Sequence, residues 1–396
     1  MGASEEHRRA LVEAAERQVS TFRELALKLH AHPEVGLEER QAAEWIGQTL
    51  EAAGFSAEWG VADLPTAFVA RWGEPAARPV IAFLAEYDAL PELGHACGHN
   101  LIAGAAGLAA VSLASTISPA QARVWVIGCP AEESYAGKAQ LVERGVFSEV
   151  DVALMAHGFC YHIGARPVSG RKSVVVEFHG KSAHAAAAPE VGVNALDAMI
   201  LTFSGVALMR QQLRDEARVH GIITHGGDAA NIIPDYTRAE FYARSLDPDY
   251  LAELERRLLA CARGAAEATG ARLEVSSATL TMLPIRHSRT LEQQYETNIR
   301  WLGEEVAEEI PGQGAGSTDF GNVSQVVPAV HGYFKVSEQE VPAHTVEFRE
   351  AARSETGLAG MVTAAKALAL AALDLIEDPK LLAAARSEFE AAGGKG

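Results

Sequence analysis

The 396-residue chain is 48% hydrophobic and 22% charged, a composition that excludes a disordered or fibrous protein. Its formal net charge of −18 argues against nucleic acid or an anionic membrane as a partner. Four cysteines without framework spacing, a charged N-terminal stretch and no apolar run long enough for a membrane span favour a reducing, cytoplasmic compartment.

Helical and strand patterns alternate over the first 160 residues or so. Apolar residues at helical spacing predict one helix from Ser4 to Leu29, ending before Pro33, and a second helix over 38–53. Apolar runs predict strands at 66–72, 79–85, 123–129 and 150–155, with helices over 101–114 and 137–145. This alternation predicts an α/β domain whose mostly parallel sheet is covered by helices on both faces.

The pattern changes after Pro167. Half-buried stretches at 172–180, 219–226, 234–245 and 272–280 predict a four-stranded antiparallel sheet, with helices over 194–214 and 248–269. Helix–strand alternation then returns, with predicted elements at 290–309, 325–334, 355–376 and 379–392. We therefore predict an α/β domain in two parts, 1–168 and 284–396, interrupted by an inserted α+β domain over 169–283.

A loop rich in potential ligands, EYDALPELGHACGHN (86–100), follows the predicted strand 79–85. One glycine separates Cys97 from His99, so a thiolate and an imidazole can reach the same ion. On its own, such a pair is more often a buried cysteine beside a surface histidine. Further residues downstream favour the metal-binding interpretation.

Two later strands and one later turn also carry potential ligands. Glu132 and Glu133 follow the strand 123–129, and adjacent residues of an extended chain point in different directions, so one can bind metal while the other faces a substrate. His157 follows the next strand, and His344 lies in a turn between a strand and a helix. Lone histidines are usually surface or core residues. Three successive strands that each lead to such a group indicate one shared site, and this donor set suits zinc, manganese or cobalt.

Six motifs occur in order across nearly the whole chain: EYDALPELGHACGHN, PAEES, LMAHG, KSAHAAAAPEVGVNALDA, NIIPD and PAHT. Together they resemble metallopeptidase family 20, and more narrowly its amidohydrolase branch of aminoacylases and auxin-conjugate hydrolases. That branch usually has aspartate where this chain has Asn100. Asn100 together with Glu86-Tyr87-Asp88 is most similar to the p-aminobenzoyl-glutamate hydrolase and β-alanyl-lysine dipeptidase group. The resemblance implies that 1–168 and 284–396 form the catalytic domain and 169–283 a lid through which the chain forms a homodimer.

The resemblance also implies roles for single residues. It implies two divalent ions, zinc or manganese with cobalt as a further option, bound by Cys97, His99, Glu133, His157 and His344. Glu132 would be the general base. Asp88 would orient a ligand, although a helix or turn cap explains Asp88 equally well from the sequence.

Three lid residues are implied to act on the substrate. His184 would steady the developing oxyanion, and Asn231 and Arg244 would hold the substrate. Asn231 could instead cap a strand, and Arg244 could form an ordinary surface salt bridge. Ser317–Phe320 (STDF) resembles a Ser-Glu-Asp-Phe turn with threonine at the second position, and we interpret Asp319 as structural support.

These observations predict a metal-dependent amidohydrolase in which a metal-bound water attacks the amide bond. The substrate stays open between an N-acyl amino acid, an aminobenzoyl-glutamate-like conjugate and a short dipeptide, including one ending in a basic residue. One alternative is a non-catalytic binding or regulatory relative, which the retention of Glu132 and all five ligand positions argues against. A thiol-based protein using Cys97 is disfavoured because no second cysteine lies near it in the sequence.

Overall fold

The structure is a computed structural model that describes residues 3–308 and 316–394. These residues divide into two compact units. The first unit contains 3–166, 286–308 and 319–394, and the second contains 167–285 and 316–318.

The described residues form ten strands in two sheets. They are β1 (Ser56–Trp59), β2 (Phe68–Trp72), β3 (Val80–Glu86), β4 (Arg123–Cys129), β5 (Val152–Phe159), β6 (Gly170–His179), β7 (Arg218–His225), β8 (Tyr236–Ser245), β9 (Arg272–Ser276) and β10 (Ala329–Lys335). The sheet of the first unit has the order β1-β2-β4-β3-β5-β10. Its strands β4, β3, β5 and β10 run parallel to one another, whereas β2 pairs antiparallel with both of its neighbours, β1 and β4. The predicted mostly parallel sheet is confirmed.

Twelve α-helices accompany these strands in the described residues. They are α1 (Glu5–Glu16), α2 (Val19–Ala31), α3 (Arg40–Ala52), α4 (His99–Ala114), α5 (Gly137–Glu143), α6 (Ala195–Met209), α7 (Pro248–Thr269), α8 (Arg289–Trp301), α9 (Phe320–Ser324), α10 (Val346–Ala351), α11 (Glu355–Glu377) and α12 (Pro379–Ala391).

Helix α4 is the centre of the first unit's core, and its small residues explain how closely its neighbours approach. A Cβ atom added to Gly107 would lie 2.4 Å from Phe22 of α2, and one added to Gly104 would lie 2.4 Å from Met361 of α11. Larger side chains at these two positions would therefore separate the packed helices. Helix α11 is long and apolar enough to cross a membrane, but 72% of its most apolar stretch is buried within the protein, as in the core helix of a soluble domain.

The second unit is a four-stranded antiparallel sheet in the order β7-β8-β6-β9, packed against α6 and α7. Apolar side chains from the strands and both helices form its separate core, which includes Val176, Phe241, Met199 and Leu258. The predicted antiparallel sheet with two helices is confirmed. Asn194 and Asp247 accept backbone N–H groups at the N-termini of α6 and α7, which fixes where these helices begin.

Several predicted boundaries are wrong for identifiable reasons. The helix predicted from Ser4 to Leu29 is two helices, because the chain turns at Arg17 and Gln18. The helix predicted over 290–309 ends at Trp301, where Gly303 takes a positive φ of 91° that stops helix propagation; residue 309 lies outside the described residues. The strand predicted over 325–334 begins at Ala329, because the preceding residues close the turn after α9.

Candidate metal centre

All five predicted metal ligands lie in the first unit. These residues and Glu132 form three overlapping groups, and within each group the potential ligand atoms all lie within 4.8 Å of one another. The groups are Cys97, His99 and His157; Cys97, Glu133 and His344; and His99, Glu132 and Glu133. The parallel strands β3, β4, β5 and β10 place the segments that follow them at one sheet edge, where α/β proteins commonly bind ligands. The structure thus brings these six residues together, while their binding of metal stays a prediction.

His99 is the first residue of α4 rather than part of the preceding loop, because Gly98 takes the left-handed conformation (φ 77°) and starts the helix earlier than predicted. The His99 ring is buried, and its Nδ1 lies 2.9 Å from Asp88 Oδ1. Nδ1 therefore donates to the carboxylate, and Nε2 is the nitrogen that remains for a metal ion. Nε2 has no hydrogen-bond partner in the described chain, so it is a buried, unsatisfied atom suited to a metal ion.

Asp88 connects two of the predicted ligands. Besides its contact with His99, its Oδ2 accepts the backbone N–H of Glu133 at 3.0 Å. Burial would lower the pKa of His99, but the carboxylates of Asp88 and Glu86 raise it well above its usual value. These contacts support an orienting role for Asp88 over the alternative of a cap.

The turn after β4 gives Glu132 and Glu133 different surroundings. Glu133 Oε1 lies 3.1 Å from His344 Nε2, and although burial opposes its ionisation, the hydrogen bond from His344 lowers its pKa to about 2. Glu132 is buried, and burial together with the Glu133 carboxylate raises its pKa well above its usual value. Two adjacent carboxylates in such different environments are suited to different tasks.

Sequence reasoning did not identify Glu39, which supports this turn. Its Oε1 accepts the backbone N–H of Ala131 at 2.7 Å, and its Oε2 accepts the Thr66 hydroxyl at 3.1 Å. Glu39 is fully buried, and this burial raises its pKa to about 7. A glutamate just before an amphipathic helix is typical of a solvated residue, so the sequence carries no signal for its burial.

His157 lies inside β5 and not beyond its end as predicted, because pairing with β10 continues through Tyr333 and extends the strand to Phe159. Its Nδ1 lies 2.8 Å from the carbonyl of Gly158, and its Nε2 lies 3.5 Å from Cys97 Sγ. Burial raises the pKa of the Cys97 thiol, so a thiolate at this position needs a nearby cation. A thiol, three imidazoles and carboxylates in one cluster, buried at Cys97 and His99 and exposed at His344, fit zinc, manganese or cobalt.

The other predicted site residues belong to the second unit. His184 is exposed, and its Nδ1 accepts the backbone N–H groups of Ala186 and Ala187 at 3.3 and 3.2 Å. The carbonyl of Asn231 accepts the N–H of Ala185 at 3.0 Å, so the loops that carry His184 and Asn231 lie together. Asn231 is exposed and lies well before β8 begins, which argues against a strand-capping role.

Arg244, near the end of β8, does not form the surface salt bridge considered as an alternative. Its Nη1 donates to Ser317 Oγ at 2.7 Å, and no carboxylate within the described part of the chain pairs with it. The guanidinium therefore keeps its charge available for an anionic group.

Comparisons with known proteins agree with this arrangement. The profile of a peptidase dimerisation domain of the M20 family matches residues 168–269. The mouse (Mus musculus) Xaa-Arg dipeptidase is 41% identical over 392 residues, which cover 96% of this chain and 90% of that protein. One of the subunits of the p-aminobenzoyl-glutamate hydrolase of Escherichia coli K12 is 28% identical over 460 residues, covering 96% of this chain and 94% of that protein.

A solved structure shares the fold. It is a dinuclear metal-binding peptidase of the M20 family from Bacillus subtilis, with a TM-score of 0.66 and 20% sequence identity. The match covers 91% of this chain and 99% of that one. The predicted α/β fold with a separate antiparallel unit is therefore the fold of known M20 proteins.

Proposed function

The chain belongs to the M20 family of peptidases, and on that premise we propose that this amidohydrolase removes basic C-terminal residues from dipeptides. The cluster of Cys97, His99, Glu133, His157 and His344 beside the separate carboxylate of Glu132 is the observation that carries this proposal. The 41% sequence identity between this chain and the mouse Xaa-Arg dipeptidase supports this substrate class. The net charge of −18 also favours a cationic substrate over an anionic one, although salt screens this long-range effect.

The five clustered residues would hold two divalent ions, zinc or manganese with cobalt as a further option. When bound, two such ions lower the pKa of a water to about 7 and polarise the scissile carbonyl. Glu132 accepts the proton of the attacking water and returns it to the leaving amine. Asp88 holds the Nδ1 proton of His99 and the backbone of Glu133, which keeps both ligands in place.

A substrate panel tests the proposal. After chelation the protein is reloaded with Mn²⁺, Zn²⁺ or Co²⁺ and assayed with Ala-Arg, Ala-Lys, Ala-citrulline, p-aminobenzoyl-glutamate and N-acetyl amino acids. We expect the highest kcat/KM for Ala-Arg or Ala-Lys, with a loss for Ala-citrulline, which keeps the shape of arginine without its charge. If p-aminobenzoyl-glutamate were cleaved fastest, the substrate would be an aminobenzoyl-glutamate-like conjugate and not a dipeptide. No cleavage with any metal would refute the proposal.

Alkylation of Cys97 provides a test that does not depend on substrate. A thiolate bound to metal resists alkylation, so we expect iodoacetamide to label Cys97 at least about tenfold more slowly in the metal-loaded protein than after chelation. Cys261, a partly exposed thiol of the second unit, serves as the internal control and should react equally in both states. Peptide mass spectrometry measures both rates, and a Cys97 rate that ignores metal would contradict its role as a ligand.

We also propose that the second unit mediates homodimer formation, as the dimerisation-domain match supports. Met199 of α6 is buried in this unit's own core, whereas Ile200 and Leu208 on the same helix are 50% and 78% exposed. Ile222 of β7, the edge strand of the sheet, is 65% exposed. Apolar exposure on a helix and an edge strand of one unit is typical of an interface.

Substitution on this surface tests the dimer. Leu208→Glu should weaken self-association at least about tenfold, because it places a charge among apolar contacts. Leu27→Glu on α2 of the first unit is the matched control, since Leu27 is also an exposed helical leucine. Light scattering over a concentration series measures both variants. A monomeric unsubstituted protein, or equal effects of the two substitutions, would contradict the proposal.

We also propose that the protein functions in the cytoplasm. Cys97, Cys129, Cys160 and Cys261 are all free thiols, which supports a reducing compartment such as the cytoplasm.

A further inference from the structure

A buried lysine lies next to the predicted metal ligands and has no part in the mechanism above. Lys138, on α5, is 0% exposed, although lysine is rarely buried without partners. Its Nζ lies 2.6 Å from Glu86 Oε1 and 2.5 Å from Asp319 Oδ1, and its backbone N–H donates to Asp319 Oδ2 at 2.8 Å. Burial opposes the charge of Lys138, but the two carboxylates raise its pKa well above its usual value, so the group is an ammonium.

Glu86, the last residue of β3, extends from this ammonium to the metal ligands. Its Oε2 lies 3.4 Å from Nε2 of His99, and neither carboxylate oxygen of Glu86 accepts a hydrogen bond within the described chain, so its contact with Lys138 is an ion pair. Two atoms bound at about 2.1 Å to one tetrahedral ion lie roughly 3.4 Å apart. Glu86 therefore lies within reach of an ion held by His99, yet it is not among the five predicted ligands.

The surroundings of Lys138 would themselves attract a cation. Oxygen atoms of Glu86, Glu132 and Asp319, all buried, lie within 4.8 Å of one another, an arrangement able to hold a metal ion. The ammonium of Lys138 contacts two of these three carboxylates. Without this positive charge, three buried carboxylates would lie together uncompensated, which is strongly unfavourable.

We propose that Lys138 is a positioning residue that withholds Glu86 from the metal centre. By pairing with Glu86, the ammonium neutralises this carboxylate and anchors it through Oε1, so that Oε2 stays near the ion without becoming a sixth protein ligand. A coordination position then stays open for water and substrate, as hydrolytic metal sites require. This inference rests on the proposed two-ion function.

A cycle of four proteins tests the inference through Zn²⁺ binding, measured by competition with a chromophoric chelator in the absence of substrate. The proteins are the unsubstituted chain, Glu86→Gln, Lys138→Met with Asp319→Asn, and the triple variant. The paired substitution removes one positive and one negative charge, so the local net charge is unchanged. We expect Glu86→Gln to change Zn²⁺ affinity by less than about twofold in the unsubstituted chain. In the paired variant, where Glu86 is free to bind the ion, it should weaken affinity at least about tenfold.

The two backgrounds separate coordination from long-range electrostatics. A through-space effect of the Glu86 charge on Zn²⁺ affinity would be the same with and without the paired substitution. Equal effects of Glu86→Gln on Zn²⁺ affinity in the two backgrounds would therefore overturn the inference. If the paired variant does not fold, the same cycle on Lys138→Gln, which keeps a hydrogen-bond donor for Asp319, gives the same comparison. Failure to cleave dipeptides would refute the proposed substrate and leave this binding cycle intact.

A matched control separates metal positioning from loss of any buried cation. Arg8 forms a buried ion pair with Asp374 elsewhere in the first unit, with Nη1 2.9 Å from Oδ1. Arg8→Met should lower Tm and leave Zn²⁺ affinity unchanged. A change in Zn²⁺ affinity as large in Arg8→Met as in the paired Lys138 variant would also overturn the inference, because it would reflect general destabilisation.

Discussion

Replacing Glu132 by glutamine should lower kcat by roughly 10³–10⁴-fold while both metal ions remain bound. Glutamine keeps the size and one oxygen of the side chain but cannot accept a proton from the attacking water. Metal content should persist because Glu133 keeps its contact with His344, and Cys97 and His157 are unaffected. Steady-state kinetics combined with metal analysis measures both quantities.

Glu133→Gln is the matched control for this prediction, because it makes the same chemical change at the adjacent residue. That substitution should weaken metal binding, since it removes the carboxylate that pairs with His344. If Glu132→Gln instead loses metal while Glu133→Gln keeps both ions and full activity, the two assignments are reversed.

Replacing His184 by alanine should lower kcat by about 10²–10³-fold, the loss typical of one oxyanion donor, with KM much less affected. The hydrogen bonds of its ring support this role. Because Nδ1 accepts two backbone N–H groups, the proton resides on Nε2, so the exposed ring presents a donor. A donor to the oxyanion acts on the transition state far more than on bound substrate.

Two further variants make the His184 prediction specific. His184→Gln, which keeps an N–H donor, should retain more activity than His184→Ala. His179→Ala removes another histidine of the second unit, one that lies 3.3 Å from Glu274, and should leave kcat unchanged. Near-normal kcat in His184→Ala, or loss of a metal ion, would exclude His184 from the catalytic residues.

The elements that the sequence predicts to the residue are those with strong local signals. β4 matches the apolar run RVWVIGC, and α7 begins at Pro248 after the capping Asp247 and ends before Gly270, which has a positive φ. The sequence does not predict β1, because it is a short edge strand of mostly exposed residues without an apolar pattern. Local composition thus determines central elements more clearly than peripheral ones.

The candidate site shows a similar division. The motifs are sufficient to find the residues that the structure brings together, because Cys97, His99, Glu132 and Glu133 follow buried strands and His157 lies near the end of one. The sequence does not indicate Lys138, since its burial depends on Asp319, which is 181 positions away in the chain. The protonated nitrogen of His99 and the double contact of Asp88 likewise depend on atoms that only folding brings close.

The order of the predicted ligands along the chain has a consequence for biosynthesis. Cys97, His99, Glu133 and His157 emerge from the ribosome before the second unit, whereas His344 emerges after it, together with β10, the neighbour of β5 in the sheet. At about 5–20 residues per second, the stretch from His157 to His344 takes roughly 10–40 seconds to translate. During that interval a nascent chain exposes the edge of β5 and a thiol whose final partner has not been made. The predicted metal cluster therefore cannot be complete until the whole second unit has been translated.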